Sequence, residues 1–290
     1  VKLRRTMLFM PGNNPGMLQT ADTFGADSVI FDLEDAVALT EKDAARILVT
    51  EAMKTMTYGE TEVVIRINPL SSPFAMMDID KMARLKPDAI LLPKATPEDM
   101  AVLEKELERI EKEEGIEVGT IKVHALVETA YGVETVYETL KTSKRIEAVL
   151  LGGEDLAADL AVKRTKDSDE LFYARTKLVN ACKALKIDVI DTPFTDTNDY
   201  EGLTADSRKA KMLGFSGKLA INPRQIDTIH AVYSPTKAEI NHALRVMAAK
   251  EEAEKEGLGV FSLDGKMVDL PIINRAIQTL EIAEMIGLLD

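Results

Sequence analysis

Short runs of consecutive apolar residues alternate along this chain with longer stretches whose apolar positions recur every three or four residues. The short runs predict eight strands, at 6–10, 28–32, 62–67, 89–93, 122–126, 148–151, 188–191 and 218–221. Several are apolar at successive rather than alternate positions, as in strands buried on both faces of a parallel sheet. Helix signals separate them. Thr96 followed by Pro97 and Asp99 predicts an N-cap with proline in the first turn, Met100, Leu103, Leu107 and Ile110 supply one apolar face, and the helix ends near Gly115. A similar stripe through Leu171, Leu178, Cys182 and Leu185 assigns Cys182 to the core rather than to chemistry.

Eight strand-and-helix units within residues 1–229 predict an α/β fold, a TIM (β/α)8 barrel, with a doubly wound sheet as the alternative. The barrel is preferred because polar residues recur at the ends of many different strands. Residues 230–290 predict a C-terminal helical extension: a long charged helix ending near Gly257, a short glycine-containing connection and a final helix over 271–286.

Composition narrows the function classes. The 290 residues are 46% hydrophobic, enough for a large core, and carry a formal net charge of −13. That charge disfavours nucleic acid and anionic membrane as partners, so an anionic substrate must be met by a local cluster of positive groups. A single cysteine excludes an intrachain disulfide and Cys-rich zinc sites, and points to a reducing compartment. No run approaches the roughly 18 to 20 apolar residues of a membrane span, and Val1-Lys2-Leu3-Arg4-Arg5 has no apolar stretch behind its charges. The expectation is a cytoplasmic protein.

In a barrel the C-terminal strand ends converge on one mouth, so residues far apart in sequence can cooperate there. Strand 2 leads into Asp32-Leu33-Glu34-Asp35, strand 3 into Arg66-Ile67-Asn68, strand 4 into Pro93-Lys94, strand 5 into Glu128 and strand 6 into Gly152-Gly153-Glu154-Asp155. Glu128 and Asp155 are the candidate metal pair. Two carboxylates hold a hard divalent cation and leave positions open for substrate oxygens, and all-oxygen ligation favours Mg²⁺ or Mn²⁺ over zinc. Either carboxylate could instead cap a helix or pair with a lysine. Arg66 presents a planar fork suited to a substrate carboxylate, with a salt bridge to Asp32 or Glu34 as the alternative. The glycines at 152 and 153 allow close backbone approach, and amides at that helix start can receive a carboxylate. Pro11-Gly12-Asn13-Asn14-Pro15-Gly16 lacks a Walker ending and is expected to shape the pocket and the thioester channel, with an ordinary loop as the alternative. His124, His230 and His242 have no metal spacing and are expected to be structural.

These motifs resemble a known family. Arg5-Thr6-Met7-Leu8-Phe9-Met10-Pro11-Gly12-Asn13, Phe31-Asp32-Leu33-Glu34-Asp35-Ala36, Arg66-Ile67-Asn68, Val127-Glu128-Thr129, Gly152-Gly153-Glu154-Asp155-Leu156 and Ile221-Asn222-Pro223 are similar to the HpcH/HpaI aldolase and citrate lyase beta-like family, which includes malyl- and citramalyl-CoA lyases. The resemblance implies a barrel holding Mg²⁺ through Glu128 and Asp155, with Arg66 and Glu128 contacting substrate. Asn222 stands where the family often has histidine.

The resemblance further implies carbon–carbon cleavage of a citryl thioester, citryl-ACP, to oxaloacetate and an acetyl thioester. Malyl-CoA or citramalyl-CoA cleavage is the alternative within the family. Arg66 and the amides of Gly153, Glu154 and Asp155 are expected to hold the oxaloacetate portion. In residues 261–271 the segment resembles one in which an aspartate from a neighbouring subunit closes over the thioester, pointing to Asp269 rather than Asp264 as proton donor, with a cap on the final helix before Pro271 as the alternative role of Asp269. It follows that the extension is a lid in an oligomer, a homotrimer or hexamer, and that an acyl carrier protein and transferase subunits are partners. The carrier is expected near Lys2, Arg4 and Arg5; Lys163, Arg164 and Lys166 are a second candidate cluster, for which ordinary solvated surface charge is the favoured reading. Rival readings are a Schiff-base aldolase using Lys94 and a non-catalytic subunit that only binds the carrier.

Overall fold

A computed structural model describes residues 2–255, 257 and 259–289. Eight parallel strands close into a barrel in sequence order: β1 (Thr6–Pro11), β2 (Ser28–Asp32), β3 (Glu62–Arg66), β4 (Ala89–Leu92), β5 (Lys122–Val127), β6 (Ile146–Leu151), β7 (Asp188–Asp191) and β8 (Gly217–Ala220). Closure is made by β1 against β8, with Met7 opposite Leu219. Each predicted strand is present, and the doubly wound alternative is excluded because no edge is left open. Met7, Ile30, Val64, Leu126, Leu150 and Ile190 fill the interior, so the barrel is a packed core with its chemistry at one end.

The helices follow the strands they cover: α1 (Pro15–Gln19), α2 (Lys42–Thr55), α3 (Ala75–Ala83), α4 (Pro97–Glu114), α5 (Ala130–Glu134), α6 (Val136–Thr142), α7 (Gly153–Asp159), α8 (Phe172–Leu185), α9 (Tyr200–Leu213) and α10 (Ile226–Tyr233). Helix α4 begins and ends as its sequence predicts. Thr96 accepts a hydrogen bond from the Asp99 amide at 3.1 Å, and Gly115 takes the left-handed conformation at the C-cap. Cys182 is buried on α8, and burial pushes its thiol up to about 12, as a core cysteine requires.

Residues Arg4–His230 form one compact unit, and a second comprises the described residues from Ala231 onward with the N-terminal Lys2 and Leu3. The second unit contains α11 (Lys237–Lys255), a two-stranded hairpin of β9 (Phe261–Leu263) and β10 (Lys266–Val268), and α12 (Leu270–Met285). The long helix expected from His230 is therefore two helices. Pro235 cannot continue α10, and Thr236 restarts the chain as a capping box, exchanging hydrogen bonds with Glu239. The expected glycine connection holds a hairpin instead, turning at Asp264 and Gly265, both with positive φ. Among the described residues no helix is long and apolar enough to cross a membrane.

Candidate active site

The strand ends named from sequence do converge. Asp32 closes β2 directly opposite Arg66 at the end of β3, and the two are joined by a bidentate pair: Nε of Arg66 lies 2.7 Å from Oδ1 and Nη2 lies 2.6 Å from Oδ2. Asp32 also accepts the amides of Glu34 at 2.8 Å and Ala36 at 3.0 Å, so its buried charge is met by four donors. Only the Nη1 edge of Arg66 faces elsewhere, 2.9 Å from Oε2 of Glu34, while its guanidinium lies over the ring of Phe9. The fork expected to grip substrate thus cross-links two strands, and any substrate contact falls to Nη1.

Glu34 is buried and pushed up to about 7: burial raises it, the Arg66 charge opposes, and Asp35 and Asp32 add to the rise. Glu128, at the end of β5, is raised further, to about 8, by burial and then by the negative charges of Glu34 and Asp155. Its Oε1 accepts the Lys94 amide at 2.8 Å. Lys94 makes that amide available by adopting φ +50 after β4, a left-handed conformation that costs a non-glycine residue about 1–3 kcal/mol. Backbone strain is thereby placed against a candidate ligand carboxylate.

Asp155 stands exposed in the first turn of α7, and the turn before it passes tightly behind Glu128. A Cβ at Gly152 would come within 2.7 Å of Oε2 of Glu128, so the backbone approaches where no side chain fits. The donor set fits a hard divalent cation. Glu128, Asp155 and Glu34 crowd negative charge that the Arg66 Nη1 edge and the half-exposed Lys94 ammonium, 3.8 Å from Glu34, only partly offset.

Other predicted positions behave less simply. Glu154 pairs with Arg164 at 2.9 Å, and the Gly153 amide donates to Thr192 Oγ1 at 2.9 Å. Asp269 caps α12, Oδ1 accepting from the Ile272 amide at 3.4 Å, and Asp264 pairs with Arg245. Asn222 is an N-cap in a capping box with Gln225, a role asparagine fills well. The docking cluster at Arg4 and Arg5 is a correction. Arg4 is buried at the opposite end of the barrel, bonded to Glu62, Glu147 and Asp188, and Arg5 grips Asp27 at 2.8 Å. Of the second cluster, Arg164 is also bound to Glu170, and Lys166 to Asp199 at 2.7 Å.

One further group of ligand-type atoms, Glu62, His124 and Glu147, lies at that same opposite end. It is an ion-pair core. Burial alone raises Glu62, but the hydrogen bond from Arg4 and the charges of His124 and Arg4 hold it down at about 2, and the guanidinium occupies the place of a cation. Sequence reading treated Glu34 only as a partner of Arg66 and missed Thr192. The available signal was the polar Asp191-Thr192 pair at the end of β7, a strand for which no mouth residue was named.

Comparison with known proteins places these features. The HpcH/HpaI aldolase/citrate lyase family matches residues 5–223. The chain is 46% identical to citrate lyase subunit beta of Leuconostoc mesenteroides subsp. cremoris, over 100% of this chain and 96% of that one. It is 33% identical to mitochondrial citramalyl-CoA lyase of Mus musculus, over 94% of this chain and 84% of that one. A citrate lyase beta subunit from M. tuberculosis, solved with oxaloacetate and magnesium, superposes with a TM-score of 0.68 at 28% identity, covering 80% of this chain and 98% of that one.

Proposed function

This chain belongs to the HpcH/HpaI aldolase/citrate lyase family, and on that premise we propose that it is a carbon–carbon lyase cleaving a citryl thioester to oxaloacetate and an acetyl thioester. The observation that carries the reading is the meeting at one barrel mouth of Glu128, Glu34 and Asp155 around the Nη1 edge of Arg66, which Asp32 leaves to Glu34. Glu128 and Asp155 would hold magnesium, with manganese as its substitute. When bound, the ion supplies a hard Lewis acid that opposes negative charge developing on the hydroxyl-bearing end of the substrate.

The chain's own groups do the rest. Nη1 of Arg66 and the amides of Glu154 and Asp155 receive carboxylate oxygens, while Gly153, whose amide serves Thr192, contributes close backbone approach. Glu34, with its carboxyl near 7, is suited to exchange protons at neutral pH and takes the C3 hydroxyl proton. The O–H electron pair becomes the carbonyl of oxaloacetate, the C2–C3 bond breaks, and its electrons pass to the thioester enolate. Asp269 from a neighbouring subunit then protonates the enolate carbon.

In this reading residues 1–229 are the catalytic barrel and 230–290 a lid that completes the site in a homotrimer or hexamer. The protein works in the cytoplasm with an acyl carrier protein and transferase subunits. A second reading, cleavage of a citramalyl thioester on coenzyme A, is favoured by the 33% identical relative of that name. A product assay offering citryl, citramalyl and malyl thioesters on carrier protein and on coenzyme A, with and without Mg²⁺, decides among them. Mg²⁺-dependent oxaloacetate from citryl-carrier is expected. Full turnover in chelator, or borohydride trapping of substrate on Lys94, would overturn the mechanism.

A further inference from the structure

Behind the turn between β6 and α7, which carries Asp155, stands a residue with no part in the reaction above. Thr192 is fully buried directly after β7, and its Oγ1 accepts the Gly153 amide at 2.9 Å. A Cβ built on Gly153 would lie 2.7 Å from that oxygen, and one on Gly152 would lie 2.6 Å from Cβ of Glu128. The two-glycine turn is therefore slotted between Glu128 on one side and Thr192 on the other.

Thr192 is itself held in place. The preceding Asp191 accepts from Nε and Nη2 of Arg175 at 2.9 and 2.8 Å and from Nζ of Lys218 at 2.6 Å. The same two cations reach Asp206 at 2.8 and 2.6 Å. Two positive and two negative groups, all buried, close a neutral quartet that ties the end of β7 to β8, α8 and α9. Ile190 packs in the barrel interior, so the quartet anchors the opposite face of the strand.

We propose that Thr192 is a positioning residue for the cation-holding pair, its hydroxyl fixing the turn so that Asp155 meets Glu128. The proposal rests on the reading of that pair as a divalent-cation site. A hydrogen bond behind a ligand-bearing turn restricts where the ligand can stand, and the loss of an outer-shell partner of a metal ligand, about tenfold to a hundredfold in metal affinity, sets the scale for it. The quartet makes the restraint stiff, because Thr192 cannot shift without moving four mutually paired charges.

Mn²⁺ binding to the purified protein, followed by electron paramagnetic resonance of the free ion, measures this without turnover. Thr192→Val keeps the shape and removes the acceptor. It should weaken Mn²⁺ binding by about tenfold to a hundredfold, while Thr192→Ser should bind as the unsubstituted protein does. Thr192→Ala makes the same measurement if the valine variant does not fold. Undiminished binding in the variants lacking the hydroxyl, or a serine variant as weak as them, overturns the positioning role. Asp155→Asn in the same assay separates the two failures. Undiminished binding in Asp155→Asn, or no binding by the unsubstituted protein, removes the cation site itself and the positioning role with it.

Discussion

Arg66 and Asp32 form a bidentate pair across β2 and β3, at 2.7 and 2.6 Å, and this pair rather than the substrate takes the guanidinium fork. Arg66→Lys should therefore lower stability as well as oxaloacetate affinity, because a lysine serves one oxygen of Asp32 and leaves the other short of a donor. A loss of about 1–3 kcal/mol in urea unfolding is expected. Unchanged stability with weakened oxaloacetate binding would instead return the fork to the substrate.

The raised carboxyls of Glu128 and Glu34 make the metal-free protein sensitive to pH in a definite direction. Their folded values, about 8 and 7, lie above the ordinary 4.5, so the folded form holds protons that the unfolded chain has released. Their contribution to stability is full below about 4.5 and is lost as pH rises to about 8. Melting temperatures in chelator should fall over that window, and Glu128→Gln should flatten the fall. A profile unaffected by that substitution would show that Glu128 ionises freely in the fold.

Cation binding has the opposite dependence. Glu128 must be ionised to bind, so Mn²⁺ affinity should rise with pH toward about 8, by up to about tenfold per unit below it. Binding at pH 7 should release protons into weak buffer. Calorimetry in two buffers of different ionisation enthalpy measures this release, and a value of zero contradicts the raised carboxyl.

Glu34→Gln should bind Mn²⁺ with little change and lose turnover by about 10²–10⁴-fold, the range for removing a general base. Its backbone stays anchored because Lys42 Nζ is bonded to the carbonyls of Leu33, at 2.9 Å, and Glu34, at 2.5 Å. Near-normal turnover would assign the proton to another group.

Asp269→Asn separates acid from cap. Asparagine caps helices as well as aspartate, so α12 should persist and the thermal melt should be unmoved while turnover falls. Mixing this variant with Asp155→Asn should restore part of the activity if the donor crosses between subunits. No recovery after verified subunit exchange would remove Asp269 from the reaction.

The boundaries of β2 and β7, the Thr96 cap and the burial of Cys182 were all legible in the sequence, because each follows from local pattern. So was the set of polar residues at the mouth, since strand ends in a closed parallel barrel must converge. The break before Thr236 and the turn at Asp264-Gly265 had local signals too, Pro235 and the aspartate–glycine pair, outweighed there by the surrounding helical charge pattern. What only the tertiary structure decided is which group each charge meets. Side-chain alternation assigns Arg66 to a face but cannot say that Asp32 takes both its prongs, nor that Arg4 is buried among three carboxylates from β3, β6 and β7. The elevation of Glu34 and Glu128 and the clasp of Thr192 on Gly153 depend likewise on burial and on distances between strands remote in sequence. Electrostatic energy and hydrogen bonding depend on separation in space, and periodicity along a chain carries no record of that separation until the barrel closes.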